Sequence, residues 1–324
     1  MDPAEVRAGV ARRLRRGRLI DRWFARITWL SGVTVLALVL AITGSLVVGS
    51  VPIIDKFGLG FLASTKWNPV NDEFGAFTSI VGTLVTSLIA IVVAVPVSVG
   101  VSLFITELAP TWLKRPVGTA VELLAAIPSI IYGMWGLFVF APYFADHVQP
   151  WMNAHLDGIP GLDSLLTGPP FGIGVLTAGF ILAIMIIPFI AAVMRDVFEV
   201  VPPVLKESAY GLGATTWEVF KTVTLRYTKA GIVGGIMLGL GRALGETMAV
   251  TFVIGNSHKL HASLFMPGNT ISSTLANEFT EATGQMYTSA LIALGLILFF
   301  ITFLVLAAAR LMLLRMRAGE GKTA

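Results

Sequence analysis

The chain has 324 residues, of which 55% are hydrophobic and only 13% charged, with a mean hydropathy of +0.82. Soluble domains carry about a quarter charged residues, so the balance points to a membrane protein, and the pI near 9.5 does not by itself indicate nucleic acid. There is no cysteine, which excludes disulfides and thiolate metal sites.

The chain opens on a basic arm, residues 1–26, containing VRAGVARRLRRGRLIDRWFAR. Such an arm holds an N-terminus in the cytoplasm and can lie along the headgroups as an interfacial helix. The uncharged run 27–54 follows. It is longer than a signal-peptide core and reads as an uncleaved signal anchor, the first spanning helix. Further uncharged runs occupy 74–106, 123–145, 164–194 and 282–309. Each exceeds the roughly 20 residues that a spanning helix needs. The segment 230–257 is apolar except for Arg242 and Glu246. The pattern predicts an all-α membrane protein with six spanning helices.

The basic residues orient those spans. The arm, the loop after the second span, the loop after the fourth and the C-terminal tail hold 19 Lys and Arg, against Lys56, Lys66 and Lys259 in the three opposite loops. This split predicts cytoplasmic N- and C-termini. Pro96, Pro128 and Pro188 fall inside spans two, three and four, where each removes a backbone donor and can kink its helix. The outer segments 55–73, 146–163 and 258–281 are polar and long enough to meet an external partner. The four histidines, His147, His155, His258 and His261, form no ligand pattern. They read as solvated residues of outer loops.

The fifth span carries the chemistry. Gly231, Gly235 and Gly239 place a glycine stripe on one helix face, suited to close helix approach. Arg242 and Glu246 continue the stripe, so both should face protein or a pore rather than lipid. Counted from Lys229, Arg242 lies about 20 Å deep at about 1.5 Å per residue, well inside a core about 30 Å thick. A charge there costs roughly 2.5 kcal/mol or more. It is offset either by an i, i+4 Arg–Glu pair that closes on itself, or by an anion. Arginine's forked donors suit a tetrahedral oxyanion. A carboxylate nearby favours one that still carries a proton, with Glu246 accepting that proton's hydrogen bond or holding Arg242 in place.

The cytoplasmic loop after span four, PPVLKESAYGLGATTWEVFKTVTLRYTKAG, is unusually long and amphipathic. Pro202 and Pro203 mark its start, and a helix there should break near Gly211 and Gly213. Within it Glu207, Ser208, Ala209 and Gly213 fit E-A-A-x-x-x-G, and the segment resembles the permeases of binding-protein-dependent ABC importers. Ser208 replaces an alanine of that pattern, and Arg226, in Val223-Thr224-Leu225-Arg226, replaces a proline. Two other stretches, GRALGETMAVTFVIGN in the fifth span and ELLAAIPSIIYGMWGLFVFAP from Glu122 to Pro142, resemble the permease subunits of the high-affinity phosphate importers. The likeness runs from about Phe74 to the C-terminus.

The resemblance implies the type I ABC importer permease (MetI-like) fold over residues 74–317, with 195–229 as the coupling loop. It implies that Glu207, Ser208, Ala209 and Gly213 belong to a helix that docks on an ATPase. Arg242 and Glu246 match the family's charged pair, which serves phosphate passage. Ser129 and Tyr132 either line the same path or only pack, and Glu122 reads as a wetted cytoplasmic residue. The implied partners are a second homologous permease, a dimer of ATPase subunits, an extracytoplasmic phosphate-binding protein and the lipid of a bacterial inner membrane. No cofactor, metal or nucleic acid is called for. The chain is not expected to be an enzyme. Its C-terminal GEGKTA imitates a P-loop, but Met316 stands where the first glycine is required. The alternatives are a permease for sulfate or molybdate and a proton-coupled secondary carrier.

Overall fold

The computed structural model describes residues 3–320, with side chains described over 20–315. The side chains of the basic arm up to residue 19 and the last four residues of GEGKTA lie outside the described residues. No β-strand occurs among the described residues. Eleven helices carry the architecture: α1 (Pro3–Phe57), α2 (Phe77–Leu103), α3 (Thr111–Ala125), α4 (Ser129–Trp135), α5 (Val175–Glu199), α6 (Pro203–Gly211), α7 (Thr216–Val219), α8 (Lys229–Leu244), α9 (Met248–Val253), α10 (Ile271–Glu278) and α11 (Gln285–Glu320). Helical backbone with a wider turn prolongs α2 to Leu108 and α4 to Leu156.

Four segments are long and apolar enough to cross a bilayer: Ile20–Phe57, Phe77–Leu108, Val175–Glu199 and Gln285–Arg315. A fifth is the bent pair Thr111–Ala125 and Ser129–Leu156, which turns by 88°. Pro128 sits in the turn, where it supplies no donor and caps α4 in an extended conformation. Lys114 and Arg115, expected in a loop, lie on α3. The fourth span begins at Val175 rather than near Ser164. The expected fifth span is not one helix. It divides at Gly245–Thr247 into α8, of 16 residues, and α9, of six.

α5 is the most enclosed of the long helices, and its core residues Ile181, Leu182, Ile186 and Ile190 are fully buried. The reason lies in α2. Its buried positions include Thr78, Gly82, Thr86, Ala90, Ala94, Ser98 and Ser102, a small residue every fourth place. Small side chains let two backbones approach, and hydroxyls then reach across. The Ser98 hydroxyl donates to the Ile187 carbonyl at 3.1 Å and that of Ser102 to the Ala191 carbonyl at 2.8 Å. The glycine stripe of α8 also meets α5. A methyl group on Gly231, Gly235 or Gly239 would come within 2.6, 3.1 and 2.5 Å of Val197, Val193 and Ile190 respectively. α1 and α11 pair outside this core, with Gly49 against Ile292. The window of α1 that crosses the bilayer buries none of its residues within the chain, which fits a lipid-facing helix.

The chain between α9 and α10 folds back onto the outer ends of α2 and α5. The Asn269 carbonyl rests where a Gly82 side chain would be, 1.8 Å from that Cβ position. The Leu176 amide donates to the Leu264 carbonyl at 2.8 Å. A cavity of about 440 Å³ remains beside this loop, lined by Thr78, Val85, Lys259 and His261 among others.

Candidate functional site

Arg242 occupies the last turn of α8, where the unpaired carbonyls of a helix C-terminus favour a cation. Its guanidinium carbon stands 5.8 Å from the centroid of Phe189 on α5, a cation–π contact. The side chain nevertheless remains exposed on the surface of the single chain. Glu246 is half-buried in the break between α8 and α9. Its Oε1 accepts from the Ala249 amide at 3.2 Å, so it caps α9. Among the described residues Arg242 and Glu246 make no ion pair. A helix continuing to Glu246 would have stacked the two one turn apart. The break at Gly245–Thr247 sends the carboxylate elsewhere.

α4 abuts this broken segment. A methyl group on Gly133 would meet Phe252 at 2.9 Å and the Met248 carbonyl at 3.1 Å. Ser129 is the first residue of α4. The Tyr132 hydroxyl donates to the Leu124 carbonyl at 2.9 Å and ties α4 to the end of α3. Its ring packs on the central core. Thus the interruption at Ala126–Pro128 and the one at Gly245–Thr247 lie on neighbouring elements. In a bilayer, irregular backbone is tolerated only where protein or a wet cavity surrounds it.

The segment 195–229 forms a second surface. α6 carries Glu207, Ser208 and Ala209, and Gly213 follows at φ +87°, a conformation that glycine adopts without cost. The helix therefore breaks where Gly211 and Gly213 predicted. A new start follows, with the Thr215 side chain and Glu218 reciprocally capping α7. The Thr215 amide, then its hydroxyl, hold the Glu218 carboxyl below the ordinary carboxylate range. Arg226, in place of the family's proline, sits in the helical Leu225–Tyr227, so the helical backbone is not stopped there. Leu212 is 90% exposed and Trp217 61% exposed at the tip. Glu122 is ion-paired to Arg195 at 2.7 Å and remains half exposed. The arginine's path crosses Gly118, whose absent side chain leaves it room.

His147, His155 and His261 are exposed, but the solvated reading fails for His258. Its Nε2 lies 2.6 Å from Glu278, and its ring stacks on Trp67 with centroids 4.9 Å apart. Glu278 also accepts from Trp67 Nε1 at 2.8 Å and the Tyr287 hydroxyl at 2.7 Å. Burial works against the Glu278 charge, but the hydrogen bonds from His258, Tyr287 and Trp67 outweigh it, leaving the carboxyl below its usual range. This network joins the loop after α1 to α10 and α11. Trp67 and Glu278 are 211 residues apart in sequence, so the local sequence around His258 reads as an ordinary polar loop.

The family model of the binding-protein-dependent transport system inner membrane component matches residues 98–318. The chain belongs to this family of membrane permeases. The phosphate transport system permease protein PstC of Mesorhizobium japonicum is 57% identical to it over 98% of this chain and 97% of its own length. PstC of Pasteurella multocida is 58% identical over 94% of this chain and 95% of its own, and that of Haemophilus influenzae is 57% identical over 94% and 96%. In fold, the chain is similar to a chain in the crystal structure of a bacterial ABC transporter involved in alginate import, with a TM-score of 0.53, 18% identity and coverage of 77% of this chain and 80% of that one.

Proposed function

We infer that this chain is the membrane-embedded permease subunit of an ATP-driven phosphate importer. The observation that carries the reading is the 55–58% identity, over most of the chain, to permeases named for phosphate transport. It works within an ABC transporter assembly and contributes a membrane path rather than a catalytic centre. The finer assignment is a bacterial inner membrane, six spans with both termini cytoplasmic, and a second homologous permease beside this one. An ATPase dimer lies on the cytoplasmic side and receives the segment 195–229 of this chain, and an extracytoplasmic phosphate-binding protein delivers the anion.

Arg242 is the anion-contacting residue of this proposal. Its guanidinium, exposed on the single chain, offers donors in the fork geometry that a phosphate oxygen pair accepts. Glu246 stands in the adjoining break and favours a phosphate that retains a proton, because a fully ionised anion would be repelled. Ser129 and Tyr132 belong to the wall of the same path. Glu207, Ser208, Ala209 and Gly213 form the ATPase-facing segment, with Leu212 and Trp217 as its apolar tip. Uptake of labelled phosphate in Arg242→Gln and Glu246→Gln variants tests the site. Wild-type uptake in both refutes it. Competition by sulfate and molybdate separates phosphate from the other oxyanions. Uptake that persists without any ATPase would identify a proton-coupled carrier instead.

A further inference from the structure

Lys206, the residue immediately before Glu207, points away from the ATPase-facing tip. Its Nζ lies 2.6 Å from Oε1 of Glu107, and the two side chains are only 18% and 11% exposed. Glu107 belongs to the wider turn Phe104–Leu108 that ends the second span. Ion pairs on a solvated surface contribute little, but this one is largely withdrawn from water. Each charge is tolerated there only while the other is present, so the contact is either made or broken, with little between.

From Glu107 the connection continues through rigid elements. α2 is clipped to α5 by the Ser98 and Ser102 hydroxyls. α5 presents Ile190 to Gly239 and Phe189 to Arg242, both on α8. Ile91 of α2 reaches the same turn, 4.0 Å from the Gly239 Cβ position. A displacement of α6 is thereby handed to α2 at a charged contact, and α2 reaches the Arg242 turn both directly through Ile91 and by way of α5. Coupling travels through such contiguous packed elements when a discrete contact has two arrangements.

We propose that Lys206 and Glu107 are positioning residues that couple the ATPase-docking helix to the helices around Arg242. The proposal rests on the importer reading above. The test reconstitutes the complete transporter, with its second permease, ATPase and binding protein, in liposomes, and measures phosphate uptake and ATP turnover together. Lys206→Met and Glu107→Gln are expected to assemble and hydrolyse ATP while moving less phosphate per ATP, by about 5-fold or more, the lower end of coupling between linked sites. The double variant is expected to lose no more than either single, as for two residues acting as one unit. Lys206→Gln and Glu107→Asp replace any variant that does not assemble, with the same expected direction. An unchanged ratio in the single variants, or losses that multiply in the double, overturns the proposal. A wild-type complex that moves no phosphate refutes the importer reading instead.

Discussion

Replacing Arg242 by glutamine separates a transport role from a structural one. If Arg242 were held in an ion pair, its loss would strand a carboxylate and destabilise the protein by about 3–5 kcal/mol. No such pair exists among the described residues, because Glu246 is engaged at the start of α9. What the arginine loses is its contact with Phe189, of about 0.5–1 kcal/mol, and its placement at a helix C-terminus, about 0.3–1 kcal/mol. What is relieved is a charge at depth, about 2.5 kcal/mol or more. Arg242→Gln should therefore melt no lower than wild type while phosphate uptake is lost. Thermal unfolding in lipid nanodiscs, measured beside uptake in cells lacking the native permease, checks both. A variant that loses uptake only in proportion to a large drop in melting temperature would show that Arg242 serves the fold, and the argument would fail.

Alanine at the three stripe glycines should be graded: Gly231→Ala and Gly239→Ala, with methyl groups within 2.6 and 2.5 Å of Val197 and Ile190, should cost more than Gly235→Ala, within the range of about 1–3 kcal/mol for overpacking. Denaturation of the purified chain that ranks Gly235→Ala highest would contradict the packing described. Because the Glu278 carboxyl lies below its usual range, its contribution is present above the ordinary carboxylate value, about 4.3, and is lost as pH falls through its folded value. Melting temperature should therefore fall on acidification, and less steeply in Glu278→Gln. Leu212→Asp should leave the melting temperature unchanged, since that side chain is 90% exposed, yet abolish co-purification with the ATPase; retained co-purification would remove Leu212 from the docking surface.

Local signals in the sequence were reliable, and long-range ones were not legible. The break after α6 could be read because Gly211 and Gly213 act through their own backbone. The bend at Pro128 could be placed, though its 88° could not, because packing of α3 and α4 sets the angle. The four-residue repeat of small residues in α2 is present in the sequence, but the Val, Ile and Leu between them already make the segment apolar enough to span, so the repeat does not stand out. Its partner, α5, became evident only in three dimensions. Glu246 was placed on a continuing helix because nothing between Leu244 and Met248 forbids one. No proline interrupts it, and Gly245 has an ordinary φ of −93°. The interruption therefore comes from neighbours such as α4, whose Gly133 admits the Met248 carbonyl. His258 was misjudged for the same reason: the residues that order it come from distant parts of the chain.

The exposure of Arg242 on the lone chain bears on biogenesis. A newly inserted copy without its companion leaves that guanidinium uncovered, at a cost of about 2.5 kcal/mol or more where it meets hydrocarbon, and the most apolar window of its first helix buries none of its residues within the chain. A companion that covers the guanidinium relieves that cost, so the group proposed above to meet phosphate would also favour assembly.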